Sequence, residues 1–139
     1  FCFFTNYLSH KREDLGLNQR AEGVFLWHMI GRQVRVEGPV RKLSPEDSDD
    51  YFYKRGVESQ LSAATSKQSR ELGSYQQFLT ELEEKRKECS GKPARPPHWG
   101  GYAIDAQKIE FWTQGEHRRH LREVFMRDGD SWKMTLLYP

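Results

Sequence analysis

The stretch Gln33-Val34-Arg35-Val36-Glu37-Gly38-Pro39-Val40-Arg41-Lys42-Leu43 carries the clearest structural pattern in the sequence. Valine and glycine at the even positions from 34 to 40 alternate with charged residues and proline at the odd positions. This period of two is typical of a strand with one buried face. Pro39 has no N–H group to donate, so it predicts a sheet edge or a bulge at that point.

Short apolar runs elsewhere predict further strands. They cover residues 1–6, 24–27, 99–104, 109–112 and 120–127, and the run 24–27 has the composition of a buried strand. Asp128-Gly129 predicts a two-residue hairpin turn of the primed type. The returning strand would place Trp132, Met134 and Leu136 on one face.

Helix signals fill the middle of the chain. Ser44, Pro45 and the two acids that follow are typical of a helix start, and this helix should end near residues 55–56. Residues 59–66 and 74–88 predict two more helices, and Ser9 opens another short one. Strands that flank a helical middle favour an α+β, mainly β fold over alternating βαβ units.

The composition excludes several classes of protein. The 139 residues include 22 Lys and Arg, 20 Asp and Glu, and 13% aromatics, which is too aromatic and too balanced in charge for a disordered chain. No run approaches the roughly 20 apolar residues of a membrane span, and a net charge of +2 does not indicate nucleic-acid binding. Cys2 and Cys89 form no CxxC pair, so we expect no metal site, no disulfide framework and a reducing, cytoplasmic compartment.

Two polar clusters could bind an anion. Tyr51 and Arg55 share one helix face and Ser59 follows just past the helix end, so a phenol, a guanidinium and a hydroxyl would suit a phosphate monoester. The same spacing also fits an amphipathic helix with a core tyrosine and a solvated arginine. Gln68-Ser69 can hydrogen-bond an anion or a ring edge, or form an ordinary polar loop.

A third cluster is basic. Arg118, His120 and Arg122 alternate, so an extended segment would place all three on one face. Their charges would repel unless an anion lay among them, which hints at a bound anionic ligand. The alternative is a solvated basic strand.

Taken together, these segments resemble the pyridoxine/pyridoxamine 5′-phosphate oxidase family. The resemblance runs through residues 4–6, 32–38, 51–52, Arg55, 59–60, 66–69, 96–102, 109–112 and 116–122. It implies an FMN-binding split β-barrel with flanking helices, and a homodimer with FMN at the subunit interface. It also implies oxidation of pyridoxine or pyridoxamine 5′-phosphate to pyridoxal 5′-phosphate, with O2 as the acceptor and H2O2 as a product.

The resemblance implies roles for individual residues as well. Tyr51, Arg55 and Ser59 match the family's clamp on the substrate phosphate. Arg118 and His120 match the catalytic pair over the substrate ring. The positions that match FMN contacts are Phe4, Thr5, His10, Lys11, Gln33, Gln68, Ser69, Trp112 and Arg122.

The sequence departs from the family pattern at several points. His10 stands where arginine is usual, Gly56 where proline is usual, and Leu121 where aspartate is usual. The family's upstream barrel strands do not precede Phe1, so the resemblance implies one domain over residues 1–139 that is N-terminally incomplete. A second hypothesis therefore stays open, namely a non-catalytic or impaired relative that binds pyridoxal phosphate or FMN, or that serves as a structural dimer partner.

Overall fold

The structure, a computed structural model, describes residues 1–139 apart from the side chain of Glu13. The strands are β1 (Cys2–Asn6), β2 (Arg20–Trp27), β3 (Arg32–Lys42), β4 (Trp99–Ile104), β5 (Lys108–Thr113), β6 (Leu121–Asp128) and β7 (Ser131–Leu137). The helices are α1 (His10–Leu17), α2 (Pro45–Lys54), α3 (Val57–Thr65) and α4 (Tyr75–Glu88), with short 3-10 turns at His28–Ile30 and Glu116–Arg118. Seven strands and four α-helices confirm the predicted α+β, mainly β class.

The chain forms two compact units. One contains Phe1 with residues 19–41 and 104–139, and the other contains residues 2–18 and 42–103. The prediction of a single domain over residues 1–139 stays a prediction. None of the helices that the structure describes has both the length and the apolar character of a membrane span.

The first unit is built on antiparallel strands in the order β2-β3-β5-β6-β7. The alternation predicted for β3 is confirmed, because Val36 and Gly38 are buried while Arg35 and Glu37 reach solvent. Of the two alternatives predicted at Pro39, the sheet edge is wrong, since β3 pairs with both β2 and β5, and the bulge stays a prediction. Pro39 is tolerated because it lies beyond the last residue paired with β5, where its carbonyl accepts a bond from the Asp105 N–H.

Two details of this unit correct the sequence predictions. The run 24–27 forms part of β2, but it is not buried, since Val24 is 54% and Leu26 63% exposed. Its strand lies at the end of the strand order, where apolar composition does not reveal whether anything covers it. The predicted hairpin forms one position later, because Asp128 pairs with Ser131. Gly129 then takes the first loop position, with the positive φ of 60° that a primed turn requires there.

The second unit contains the antiparallel pair β1–β4 and all four helices, α1 to α4. Phe52 of α2, Leu61 of α3 and Trp99 of β4 form its core, the first two with no exposed area. The start of α2 is as predicted, because the Ser44 hydroxyl accepts a bond from the Asp47 N–H and Pro45 occupies the first turn. Ser9 precedes α1 as predicted, but its hydroxyl donates to the Asn6 carbonyl instead of capping the helix.

Candidate functional site

Three aromatic rings from three elements of the second unit lie nearly parallel. Phe4 of β1 stacks on Tyr51 of α2 with ring centroids 3.8 Å apart and planes 9° apart. Phe4 lies 5.4 Å from Trp99 of β4 at 14°, and the Tyr51 and Trp99 planes differ by 6°. Gly101 allows this approach, because a Cβ at that position would overlap the Phe4 ring. We call Phe4, Tyr51 and Trp99 the aromatic stack.

Arg55 lies against this stack. It follows the last residue of α2, and its Cζ is 5.0 Å from the centroid of the Trp99 ring. The Gln60 side chain donates to the Arg55 carbonyl at 2.7 Å and fixes the main chain there. Among the described residues, the buried Nη1 of Arg55 has no hydrogen-bond partner. A buried donor without a partner is costly, so this guanidinium is suited to an anionic ligand.

Two cavities adjoin the same residues. The larger, of about 670 Å³, is lined by Cys2, Phe3, Phe4, Leu43, Asp47, Tyr51, Arg55 and Trp99. The smaller, of about 250 Å³, is lined by Phe4, Thr5, Asn6, Arg55, Ser62, Ala63, Ser66, Gln68 and Trp99. Phe4, Arg55 and Trp99 belong to both linings, so they form the wall that the two cavities share.

Polar groups at the end of β1 define the smaller cavity. The Oε1 of Gln68 accepts bonds from the Asn6 N–H at 3.1 Å and from the Thr5 hydroxyl at 3.4 Å. The Asn6 side chain in turn donates to the Ser66 carbonyl. Ser69, next to Gln68, has a φ of 68°, which is unusual for a residue with a side chain. The loop after α3 is therefore tied to β1 in one specific conformation.

The predicted residues of this unit are only partly brought together. Tyr51 and Arg55 both line the larger cavity, although Arg55 lies just past the end of α2 with extended backbone and so shares no helix face with Tyr51. Ser59 is exposed on α3 and lines neither cavity. Lys11 lies with its Nζ 5.5 Å from the Phe3 ring centroid. His10 is exposed at the start of α1.

The predicted residues of the first unit form another group. Gln33 of β3 lies opposite Trp112 of β5, and both line a cavity of about 530 Å³. The His120 ring packs on Trp112 with centroids 4.6 Å apart, and its Nδ1 accepts a bond from the Gly115 N–H. An imidazole whose Nδ1 accepts carries its proton on Nε2 when neutral. His120 thus presents an Nε2–H donor.

The expectation that Arg118, His120 and Arg122 share one face of a strand is wrong. Arg118 lies in a 3-10 turn with a φ of 64°, and β6 begins only at residue 121. The Arg122 guanidinium is bound to both carboxylate oxygens of Glu110, at 2.7 and 3.0 Å. The negative charge that was expected from a bound ligand is therefore supplied, at Arg122, by the Glu110 carboxylate of the protein itself.

The sequence predicts neither the ion pair of Glu110 nor the contact between Trp99 and Arg55. Glu110 is 3% exposed, and its hydrogen bonds from Arg122 hold the pKa of its carboxyl below the usual range. One signal was available: Glu110 is the single acid among apolar neighbours in β5, which is typical of a paired, buried carboxylate. No comparable signal distinguishes Trp99 from an ordinary core tryptophan.

The Arg122–Glu110 pair belongs to a line of alternating charge across four strands. Glu22 of β2 binds Arg35 of β3 at 2.7 Å, and these hydrogen bonds lower the pKa of the Glu22 carboxyl. Arg35 lies opposite Glu110 of β5, which binds Arg122 of β6. We call Glu22, Arg35, Glu110 and Arg122 the charge ladder. A further pair, Lys108 with Glu37 at 2.7 Å, runs beside it.

Comparison with known proteins identifies the family. Residues 1–89 match the family model of pyridoxamine 5′-phosphate oxidase, and residues 99–139 match that of the pyridoxine 5′-phosphate oxidase C-terminal dimerisation region. The chain belongs to the pyridoxine/pyridoxamine 5′-phosphate oxidase family. The oxidase predicted from the sequence is thus confirmed at the level of the family.

Two relatives named pyridoxine/pyridoxamine 5′-phosphate oxidase show the extent of the match. The protein from Ehrlichia ruminantium is 43% identical over all of this chain and 73% of its own length. The protein from Polynucleobacter asymbioticus is 41% identical over all of this chain and 66% of its own length. The chain therefore spans about two thirds to three quarters of these relatives.

Solved structures confirm the predicted split-barrel fold. PhzG from Burkholderia lata 383, solved in complex with tetrahydrophenazine-1-carboxylic acid, matches with a TM-score of 0.89 and 29% identity over 99% of this chain and 68% of that one. A pyridoxamine 5′-phosphate oxidase-related, FMN-binding protein from Nostoc punctiforme matches with a TM-score of 0.75 over 99% of this chain and 72% of its own. At 14% identity, this second match concerns the fold alone.

Proposed function

We propose that this member of the oxidase family converts pyridoxine or pyridoxamine 5′-phosphate to pyridoxal 5′-phosphate, with FMN as cofactor, O2 as acceptor and H2O2 as a product. The observation that carries the proposal is the unpartnered Nη1 of Arg55, buried beside the aromatic stack. A guanidinium next to flat rings suits a ligand that is both anionic and aromatic. The names of the curated relatives support the same substrate class.

In this proposal the larger cavity binds the substrate. Arg55 binds the phosphate through charge-assisted hydrogen bonds, which are about twice as strong as neutral ones. Tyr51, in the same cavity, adds its hydroxyl. Ser59 joins this clamp only if its exposed side chain approaches the phosphate from α3.

The donor groups of the chain fit FMN. Because the Oε1 of Gln68 already accepts two bonds, the group that Gln68 offers to a ligand is its Nε2 amide, a donor suited to a flavin carbonyl. Lys11 supplies positive charge for a phosphate, and Thr5 and Ser69 supply hydroxyls. FMN, when bound, would accept a hydride from the substrate and pass the electrons to O2. The protein's task is to bind and orient both molecules.

His120 and Arg118 are the proposed catalytic pair. The packing on Trp112 and the bond from Gly115 hold the His120 ring in one orientation, with its Nε2–H free to donate to the substrate ring. Arg118 lies in a turn in which it adopts a positive φ, a conformation often kept at functional sites. In the first unit, Gln33, Trp112 and the residual donors of Arg122 are further proposed contacts for FMN, and in the second unit the proposed contacts include Phe4 and His10.

We also propose a homodimer with FMN at the subunit interface. The match of residues 99–139 to a dimerisation region supports it. So do the apolar side chains that β7 leaves exposed, such as Met134 at 51% and Leu136 at 58%. The partners are then a second copy, the vitamin B6 phosphate and O2, with no nucleic acid and no membrane. A cytoplasmic location stays a prediction.

A second candidate function is binding of pyridoxal phosphate or FMN without turnover. Two observations favour it: Arg122 uses three of its donors within the chain, on Glu110 and on the Tyr138 carbonyl, and Ser59 lies outside both cavities. This protein would keep the Arg55 site and lack an efficient arrangement of cofactor and substrate.

Absorbance and peroxide assays separate the two functions. The purified protein, incubated with FMN and freed of excess, should show flavin absorbance and release H2O2 when pyridoxamine 5′-phosphate is added. Arg55→Ala should abolish turnover, while Lys54→Ala, which removes the neighbouring exposed cation, should not. Pyridoxal phosphate binding without peroxide would favour the second function. Protein that stays colourless and inactive with FMN would contradict the first.

A further inference from the structure

Arg55 is oriented by an aromatic ring and not by a carboxylate. Among the ion pairs of the described residues none involves Arg55. Its main chain is held by Gln60, but its guanidinium lies over Trp99, which is only 6% exposed. The ring itself is fixed by its neighbours, since Phe4 packs nearly parallel to it and Phe52 packs on it edge-on at 5.1 Å.

This arrangement has a chemical consequence for ligand binding. A carboxylate that oriented Arg55 would use its N–H groups and cancel its charge. A ring attracts the guanidinium through its electron-rich face and leaves the N–H groups free. The buried, unpartnered Nη1 is the result that such an arrangement would give.

We propose that Trp99 is a positioning residue that holds the Arg55 guanidinium in place for the phosphate of the substrate. The inference rests on the proposed function, because it takes the anion at Arg55 to be a phosphate monoester. Trp99 need not touch the substrate. Trp99 keeps one rotamer of Arg55 populated in the free protein, so the Arg55 side chain loses little conformational entropy when the phosphate binds.

Trp99→Leu and Trp99→Phe test this role, with Tyr102→Leu as the matched control. Tyr102 is also an aromatic residue of β4 and is also 6% exposed, but it lies on the opposite face and lines neither cavity. Each variant is assayed for kcat and KM with pyridoxamine 5′-phosphate, and for turnover of pyridoxamine, which lacks the phosphate. Calorimetric titration with pyridoxal 5′-phosphate measures binding without turnover.

We expect Trp99→Leu to raise KM for the phosphorylated substrate, and Kd for pyridoxal 5′-phosphate, by about 5- to 30-fold. Turnover of pyridoxamine should match that of Tyr102→Leu, because no phosphate is involved. Trp99→Phe, which keeps a ring with a weaker face, should fall between the wild type and Trp99→Leu. If Trp99→Leu does not fold, the smaller increase of KM and Kd expected in Trp99→Phe tests the inference.

Several outcomes would overturn the inference. One is that Trp99→Leu impairs the oxidation of pyridoxamine as much as that of pyridoxamine 5′-phosphate. Another is that Tyr102→Leu raises KM and Kd as much as Trp99→Leu does. Unchanged Kd and KM in both Trp99 variants would do the same. A wild-type protein that neither binds pyridoxal 5′-phosphate nor oxidises its precursors would instead remove the proposed function, and this result is distinguishable because it appears before any variant is made.

Discussion

Replacing Arg122 with alanine should destabilise the protein through Glu110. The variant leaves a carboxylate that is 3% exposed without the guanidinium that binds both its oxygens. Removing one partner of a buried pair costs about 3–5 kcal/mol, whereas an exposed pair contributes about 0.2–1 kcal/mol. Because the Arg122 side chain is 28% exposed, the pair lies between these cases. We expect a loss of about 2–3 kcal/mol in the free energy of unfolding.

Urea unfolding monitored by tryptophan fluorescence measures this loss, and Glu110→Gln gives the matched comparison. Glutamine keeps the shape of the side chain, and the freed Arg122 can turn to water, so we expect only about 1–2 kcal/mol. Glu22→Gln removes the acid of an equally short but more exposed pair, with the Glu22 side chain 31% exposed. It should cost less than about 1 kcal/mol.

The pH dependence of this loss tests whether it arises from the Glu110 carboxylate. Arg122 lowers the pKa of Glu110 below its unfolded value, so the pair stabilises the wild type above the unfolded pKa. That contribution is lost as the pH falls below about 4.3 towards the folded pKa. The difference in stability between wild type and Arg122→Ala should therefore shrink on acidification. A difference that is constant from neutral to acid pH, or a smaller loss in Arg122→Ala than in Glu22→Gln, would refute the reasoning.

Three further predictions use thermal unfolding and sedimentation. Gly101→Ala should lower the free energy of unfolding by about 1–3 kcal/mol, because its Cβ would overlap neighbouring side chains. Gly16→Ala, in α1 with open space around it, should raise the free energy of unfolding by about 0.5–1 kcal/mol. Equal effects of the two substitutions would contradict the packing described for β4. Ser44→Ala removes the cap of α2 and should cost about 1 kcal/mol, and an unchanged melting temperature would show that the cap contributes nothing. Leu136→Glu should convert the proposed dimer to monomer in analytical ultracentrifugation, while Lys133→Glu, on the other face of β7, should not; a dimer that persists in Leu136→Glu would place the interface elsewhere.

Local signals in the sequence predicted most of the elements. The Ser44-Pro45 start of α2 and the alternation in β3 depend on neighbouring residues, and both are confirmed. The exposure of residues 24–27 could not be predicted, because an apolar strand has the same composition in a core and at an uncovered edge. The turn after β6 lies one position later than predicted, because the pairing register of β6 and β7 fixes the loop residues and this register depends on residues along both strands.

In the candidate site as well, contacts between residues close in sequence could be predicted, and contacts between distant residues could not. Tyr51 and Arg55 are four positions apart, so their closeness in sequence predicts a common cavity even though Arg55 lies just past the end of α2. Trp99 and Glu110 are far from the residues that they contact, and only tertiary structure brings them there. The error at Arg118, His120 and Arg122 has one cause, since the sequence did not reveal that a turn with positive φ interrupts the segment.

The charges between β3 and β5 also act against misfolding. The native alignment places Arg35 opposite Glu110 and Glu37 opposite Lys108, so both cross-strand pairs attract. Sliding β5 by two residues keeps every side chain on its own face, so the hydrophobic pattern alone does not resist it. In one direction Glu110 would face Glu37, and in the other Lys108 would face Arg35. Either slip sets like charges against each other, so these four residues select the correct strand alignment while the sheet is forming.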